Sequence, residues 1–372
     1  MKRLLYLFAL LNVLVLRAQT DSLTVHVDGQ PLAYLLTDEQ KQNVNYLFIT
    51  GTLAEEDYAF LRGNSGNNLP KLHELNLRKA DIDTIPKKAF YRWEWEHNWG
   101  NIHEFSVVLP EQLELIGDSA FNDECGLFDY DIILTGKFPK IGFDILPLYH
   151  EKHFKVSKDN PFCTTEEAIF SMDKKHLYFN HHLTTIPETV EVIEEKAFQN
   201  NLLTNVVFPK SLKEIKDYAF YNCDAPDPTG GSSYGWEFIF QTEYPPILGM
   251  EVFGGGTNFF IYDAILVVPE GCYENYINAD EQWNIFKTDR RELSLKELNT
   301  RTTLQVKKES TGWLISCKKS IHQIQLYNAS GMLINEIALN GVKEYVIPHQ
   351  DKMTFCIMRV LLDNGEEFTV KL

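Results

Sequence analysis

Cysteine is scarce in this chain, with six in 372 residues. They stand at Cys125, Cys163, Cys223, Cys272, Cys317 and Cys356, and no pair has the spacing of a zinc site or a redox dithiol. Positive charge is short too: 35 Lys and Arg face 52 Asp and Glu, a net charge of −17. General nucleic-acid binding needs a basic surface, so no nucleic-acid partner is expected, and docking on anionic membranes is disfavoured. Outside residues 4–16 no apolar run approaches the ~18 residues of a membrane-spanning helix, so no integral membrane span is expected in the mature protein.

The signatures of common chemistry are missing as well. There is no His-Glu-x-x-His and no Gly-x-Ser-x-Gly. Gly254-Gly255-Gly256 runs into Thr257-Asn258 rather than Lys-Ser/Thr, so it does not cradle phosphate. The acidic turns at Asp129 and Asp131, and at Asp224 and Asp227, lack the spacing of a calcium loop. His150 with His153, and His176 with His181 and His182, have no carboxylate context of a zinc enzyme. Neighbours on a strand face opposite ways, so His181 and His182 do not readily share an ion. No catalytic residue, cofactor or metal is expected, and the chain is not expected to be an enzyme.

What is present is a core. Hydrophobic residues make up 44% and aromatic residues 13%, enough to exclude wholesale disorder. Lys2-Arg3 precedes an apolar run from Leu4 to Leu16, and Leu16-Arg17-Ala18 suits a cleavage site, so residues 1–18 read as a secretory signal peptide. Its loss would remove Lys2, Arg3 and Arg17 and no acid, taking the net charge from −17 to −20. Such acidity fits a soluble exported chain that repels its own copies, and a monomer is expected.

The chain also repeats itself. Leu183 to Phe198 is followed at an offset of 22 by a second copy, which pairs Ile186/Phe208, Pro187/Pro209, Val190/Leu212, Ile193/Ile215, Ala197/Ala219 and Phe198/Phe220. Leu109, Pro110, Leu113, Ile116, Ala120 and Phe121 fit the same frame 77 residues earlier. Self-similarity at this period signals a solenoid of short coils. Val206-Val207-Phe208 is a short strand ended by Pro209, which cannot donate a ladder hydrogen bond. Leu212 and Ile215 point inward, Ala219 lets the turn press on its neighbour, and Phe220 fills the space between coils. No coil buries its apolar side alone, so stacking supplies the core.

The Ile-x-x-x-Ala-Phe frame resembles the BspA-like leucine-rich repeat family. That resemblance implies a secreted or surface-exposed scaffold that binds partners rather than catalyses. Gly51 to Arg62 looks like the family's entry segment, a short helix leading into the first coil. Leu72, Leu75, Leu77, Ala80 and Ile82 form a leucine-rich core, closed by Ile85, Ala89 and Phe90. Phe154–Phe162 and Ala168–Tyr178 resemble the hairpin-like variant repeat, with a turn at Asp173-Lys174-Lys175. Leu266–Gly271 and Tyr273–Phe286 resemble the closing segment, with Tyr276 and Trp283 packed on the last coil from one terminal helix.

The expected fold is therefore mainly β with short helices, a leucine-rich repeat solenoid followed by a small β-sandwich. The expected divisions are a signal peptide at 1–18, an N-terminal cap at 19–62 and repeats with a closing cap at 63–286. A linker at 287–302 and a sandwich at 303–372 follow. In the cap, residues 22–50 read as strands. In the sandwich, six short strands are expected, beginning at Trp313, Ile321, Met332, Glu344, Phe355 and Phe368, and an oxidising compartment leaves a Cys317–Cys356 disulfide open as one alternative to free thiols. Tyr327–Ile334, Tyr345–Pro348 and Val370-Lys371-Leu372 resemble the C-terminal sorting modules of Gram-negative surface proteins, although Met353-Thr354-Phe355-Cys356 departs from the family's Gly-x-Tyr.

One stretch stands out as a place to meet a partner. Trp93, Trp95 and Trp99 fall within seven residues. They either anchor a protein or glycan ligand or fold back over the edge of the repeats. The functional expectation is a secreted or cell-surface binding or adhesion protein. A structural envelope or assembly component is the alternative, and a hydrolase with an unrecognised site the remote one.

Overall fold

The computed structural model describes residues 22–62, 68–91, 105–122, 131–146, 154–165, 167–181, 183–201, 203, 205–223, 237–254, 264–286, 290–293, 304–309, 312–328, 332–348, 357–365 and 367–371. The chain is mainly β with few and short helices. Most of its strands are brief and parallel, one from each successive stretch of chain, and lie side by side in sequence order.

A long parallel sheet of six strands runs Ser22–Val27, Tyr46–Gly51, Glu74–Asn76, Ser106–Val108, Ile132–Leu134 and Phe154–Val156. A narrow ladder of two-residue strands, Thr84–Ile85, Leu115–Ile116 and Lys140–Ile141, accompanies it. Between them sit Leu47, Leu75, Val107, Ile132, Ile85, Ile116, Ala120 and Phe121, all nearly sealed from solvent. Further along, a short parallel sheet joins Val206–Phe208, Glu237–Phe240, Ile265–Pro269 and Arg290–Leu293. A mixed sheet runs from the antiparallel meander Cys163–Thr165, Ala168–Ser171 and His176–Asn180 into parallel Val192–Ile193, Glu214–Ile215 and Ile247–Leu248. The core between these two sheets is built on phenylalanine. Phe198 stacks on Phe220 at 4.6 Å, Phe220 on Phe253 at 5.8 Å, and Phe208 on Phe240 at 4.1 Å. Offset ring stacking adds to the area buried.

The backbone explains the Ala-Phe frame. The residue before the Ala has positive φ in each copy: Lys88 at 58°, Ser119 at 53°, Lys196 at 58° and Tyr218 at 55°. Asp144 at 52° and Glu251 at 46° do the same before Ile145-Leu146 and Val252-Phe253, so two further copies exist that lack the Ala. This left-handed kink turns the chain sharply, and the fully buried Ala89, Ala120, Ala197 and Ala219 allow close approach. Amides then donate to the next copy: Phe90 N–H to Ala120 O at 2.7 Å, Phe121 N–H to Ile145 O at 3.0 Å, Phe198 N–H to Ala219 O at 2.8 Å and Phe220 N–H to Val252 O at 2.9 Å.

Both ends of this arrangement are closed by side chains. Residues 22–50 are not all strand. Ser22–Val27 and Tyr46–Gly51 are parallel, so the chain must cross over between them, and it does so through helices Leu32–Leu35 and Asp38–Asn43. Thr37 and Gln40 form a capping box at the second helix. Helix Glu55–Arg62 follows, and its buried Asp57 accepts from Leu32 N–H at 2.7 Å and Ala54 N–H at 2.8 Å. At the other end the expected single helix is two pieces, Tyr273–Ile277 and a 3-10 helix Glu281–Phe286, with Tyr276 and Trp283 fully buried. Gln282 accepts from Val252 N–H and donates to Gly249 O, both at 2.7 Å, doing for the last copy what a following copy does elsewhere.

Two expectations beyond residue 286 change. The stretch 287–302, expected as linker, contributes Arg290–Leu293 as a strand parallel to Leu266–Pro269. Of the six expected C-terminal strands, the first four merge into two of 16 residues, Gly312–Tyr327 and Leu333–Pro348. They form one antiparallel sheet with Leu304–Glu309, Ile357–Leu362 and Glu367–Lys371. Register shifts between Ser316 and Gln323 bend this pair, and Gly341 at φ 73° sits opposite the bend. Ile315, Ile321, Ile324, Leu326, Met358 and Val360 fill its core. Cys317 is buried beside them, and Cys356 lies outside the described residues.

Candidate partner-binding face

In a parallel strand alternate side chains face opposite ways. The long sheet turns Leu47, Leu75, Val107 and Ile132 inward, so their neighbours form in-register rows on its outer face. One row is Ser22, Tyr46, Glu74 and Ser106. The next is Thr24, Phe48, Asn76, Val108, Ile133 and Lys155, crossing all six strands. Tyr46 is 45% exposed and stacks beside His73 at 6.4 Å. Asn76 donates to Glu74 Oε1 at 3.0 Å and accepts from Arg78 N–H at 3.1 Å, which fixes its amide.

Charge frames this face. Arg78 pairs with Glu111 at 2.7 Å and with Asp159 at 2.8 Å, and Lys79 reaches Glu111 at 2.7 Å. Hydrogen bonds from Lys79 and Arg78 hold Glu111 below the usual carboxylate range, and those from Ser157 and Arg78 do so for Asp159. Lys155 pairs with Asp131 at 2.7 Å. The face therefore combines an aromatic platform, oriented amide and hydroxyl groups, and rigid charges at its border. That is the chemistry of non-covalent recognition.

A second charged surface lies on the mixed sheet. Glu191 is held between Lys175, at 2.7 Å, and Lys213, and those two hydrogen bonds push its pKa down to about 2. Glu194 sits likewise between His176 Nδ1 at 2.6 Å and Lys216 at 2.7 Å. The pairs recur because the sequence does. Each acid is matched by a base on both sides, so this ladder is self-neutralising, and exposed pairs of this kind add little stability. The outer face of the short sheet differs again. Val207, Ile239 and Val267 lie in register there and are only 4%, 3% and 0% exposed.

Trp93, Trp95 and Trp99 lie outside the described residues, in segment 92–104. The residues that flank it belong to the core, where Phe90 and Phe105 meet edge to face at 6.5 Å. His150, His153 and His182 also lie outside, while His176 is engaged with Glu194 and His181 is buried against Phe179 at 5.6 Å. Among the described residues no group of three His, Cys, Asp or Glu is placed to hold a metal ion. Burial pushes the Cys163 thiol up to about 11, which makes it a poor nucleophile at neutral pH. Sequence reasoning did not single out the outward rows of the long sheet. Their signal is the alternation in Tyr46-Leu47-Phe48-Ile49, where the outward aromatics are one step from the inward aliphatics.

Residues 166–229 match the model of the BspA type leucine rich repeat region, in six copies. This part of the chain is thus similar to a BspA-type leucine-rich repeat region. The match covers the hairpin, both Ala-Phe copies at the offset of 22, and the entry to the Phe-rich core. The similarity suggests a surface or protein-interaction role and names no ligand. No curated protein matches the chain. Among the described residues no helix is long and apolar enough to cross a membrane.

Proposed function

We propose that this is an exported, surface-displayed or secreted binding protein whose repeats form one solenoid. Its partner is a protein or glycan met by the outer face of the long sheet and by the tryptophan segment. The observation that carries the reading is the set of in-register outward rows on a six-stranded parallel sheet, most of whose side chains are open or half-open to solvent. A rigid sheet with interchangeable outward residues is what a repeat scaffold offers a partner. In sequence, the segment with Trp93, Trp95 and Trp99 lies between Phe90 and Ser106, the first residue of the fourth strand of that sheet. Aromatic anchors of this kind supply most of the energy in many interfaces. Residues 1–18 direct export, the C-terminal antiparallel sheet spaces or attaches the repeats, and the protein acts as a monomer without nucleic acid, cofactor or catalysis.

The test is a binding screen of the mature protein against immobilised host matrix proteins and a glycan array, repeated with Trp93, Trp95 and Trp99 changed together to Ala. Loss of every bound signal with the melting temperature within about 2 °C of wild type supports the reading. A large fall in melting temperature puts the three indoles in the core, and unchanged binding removes them from the interface.

A structural assembly component is the second reading. It is favoured by Tyr244, Ile247 and Met250, which are 71%, 73% and 56% exposed around the last strand of the mixed sheet. Light scattering at rising concentration separates the two. Growth in mass that Ile247→Lys abolishes supports assembly, and a constant monomer mass removes it.

A further inference from the structure

Among the described residues, the ladder of backbone bonds that links the Ala-Phe copies and their variants is interrupted at one place. It runs unbroken from Lys88–Phe90 to Ser119–Phe121 and on to Phe143–Ile145, and again from Lys196–Phe198 to Asp217–Ala219 and on to Met250–Val252. Among the described residues, the bonds between the copy ending at Leu146 and the copy ending at Phe198 are made by side chains, while Ala197 O accepts from Asn180 N–H of the hairpin at 2.7 Å. Lys196 Nζ donates to Ile141 O at 3.1 Å. Gln199 accepts from Asp144 N–H at 2.9 Å and donates to Gly142 O at 3.2 Å. Asn200 donates to Leu146 O at 3.1 Å. Phe143 covers the seam, with Lys196 Nζ over its ring at 4.5 Å and Tyr221 against it at 4.8 Å.

The strands break at the same place. The narrow ladder ends at Lys140–Ile141 and the long sheet at Phe154–Val156, and the hairpin of the mixed sheet is inserted before the repeats resume. That hairpin is divided between two cores. Ile169 and Phe179 pack with the first, and Ala168, Phe170 and Leu177 with the second. Long side chains with several rotatable bonds tolerate changes of distance and angle that a direct backbone ladder does not. Stacked repeats are otherwise coupled by their nearest-neighbour interfaces, so a weakened interface divides the stack.

We propose that this seam is a built-in hinge, at which the stack opens as two units while each unit stays intact. The binding face of the long sheet lies on the first unit and the covered Val207–Ile239–Val267 face on the second, so motion at the seam changes the angle between them. The inference concerns the scaffold and stands whether or not a partner is found.

Native-state hydrogen exchange of the full mature chain, in sub-denaturing urea, tests it. The slowest amides of the two units, such as Phe121 and Phe220, should open at rates that differ by about tenfold or more, and the Asp144 amide should exchange faster than those of Ser119 and Tyr218. In Gln199→Met, which keeps bulk and removes both bonds, calorimetry should resolve two transitions further apart than in wild type. One shared opening rate for both units overturns the proposal. So does a Gln199→Met protein that melts in a single transition merely shifted as a whole. Should that variant fail to fold, the wild-type exchange rates alone decide.

Discussion

The long and short parallel sheets are built from the same strand geometry yet treat their outer faces in opposite ways. On the long sheet the outward row passes through Thr24, Phe48, Asn76, Val108, Ile133 and Lys155, of which all but Val108 are open or half-open to solvent. On the short sheet the corresponding row is Val207, Ile239 and Val267, and it is sealed. A face that is already covered has no area left to give a partner. On the proposed reading, recognition belongs to the long sheet and the short sheet acts as support, a division that the repeat frame alone would not suggest.

The comparison can be broken most directly with a charge. Val267→Asp should cost at least about 3 kcal/mol, because the carboxylate is buried without a partner, whereas Thr24→Asp on the open face should stay within about 0.5 kcal/mol. Urea unfolding of the two variants measures both, and equal costs would mean that the faces do not differ. A smaller effect is expected at the end of the second unit. Gln282→Ala strands the Val252 amide and should cost about 2 kcal/mol by the same measurement. If recognition belongs to the first unit, Phe48→Ala with Asn76→Ala should weaken partner binding about tenfold, worth ~1.4 kcal/mol, at nearly constant melting temperature.

The smallest effect concerns the charged ladder of the mixed sheet. Glu191 has its folded pKa depressed from 4.5 to about 2, so its contribution is present above the unfolded value and is lost as pH falls through the folded one. The melting-temperature gap between wild type and Glu191→Gln should therefore be widest above about pH 4.5 and close near pH 2. A gap independent of pH would show that the ladder carries no charge-linked stability.

Much of the second unit was legible because the copies at Ala197-Phe198 and Ala219-Phe220 keep the same residues at the same spacing. The copies at Asp144-Ile145-Leu146 and Glu251-Val252-Phe253 escaped notice, since their left-handed turn is a backbone property that several residue types satisfy. The crossover helices of the cap are too short to show a period, and only Thr37-x-x-Gln40 announces the second. In the C-terminal sheet, Asn340-Gly341 resembles a hairpin turn in sequence, yet it lies within one bent strand whose pairing continues on both sides. The outward rows of the long sheet were hidden for another reason. Their members come from strands separated by loops of unequal length, so only the register of the sheet assembles them.

The left-handed kink before each Ala or its substitute has a consequence for how such a chain lengthens. None of the six kinked residues is glycine, so each accepts a strained backbone and keeps a side chain there. Because each kink also passes its hydrogen bonds to the following copy, the unit that can be inherited intact runs from one kink to the next. A duplication of 22 residues between Lys196 and Tyr218 would keep the backbone bonds from copy to copy, whereas a change of a few residues within that span would leave donors facing nothing. The lineage of this protein is therefore free to change length in whole copies, and free to elaborate the segments between the Phe of one copy and the strand of the next, but not to drift in register.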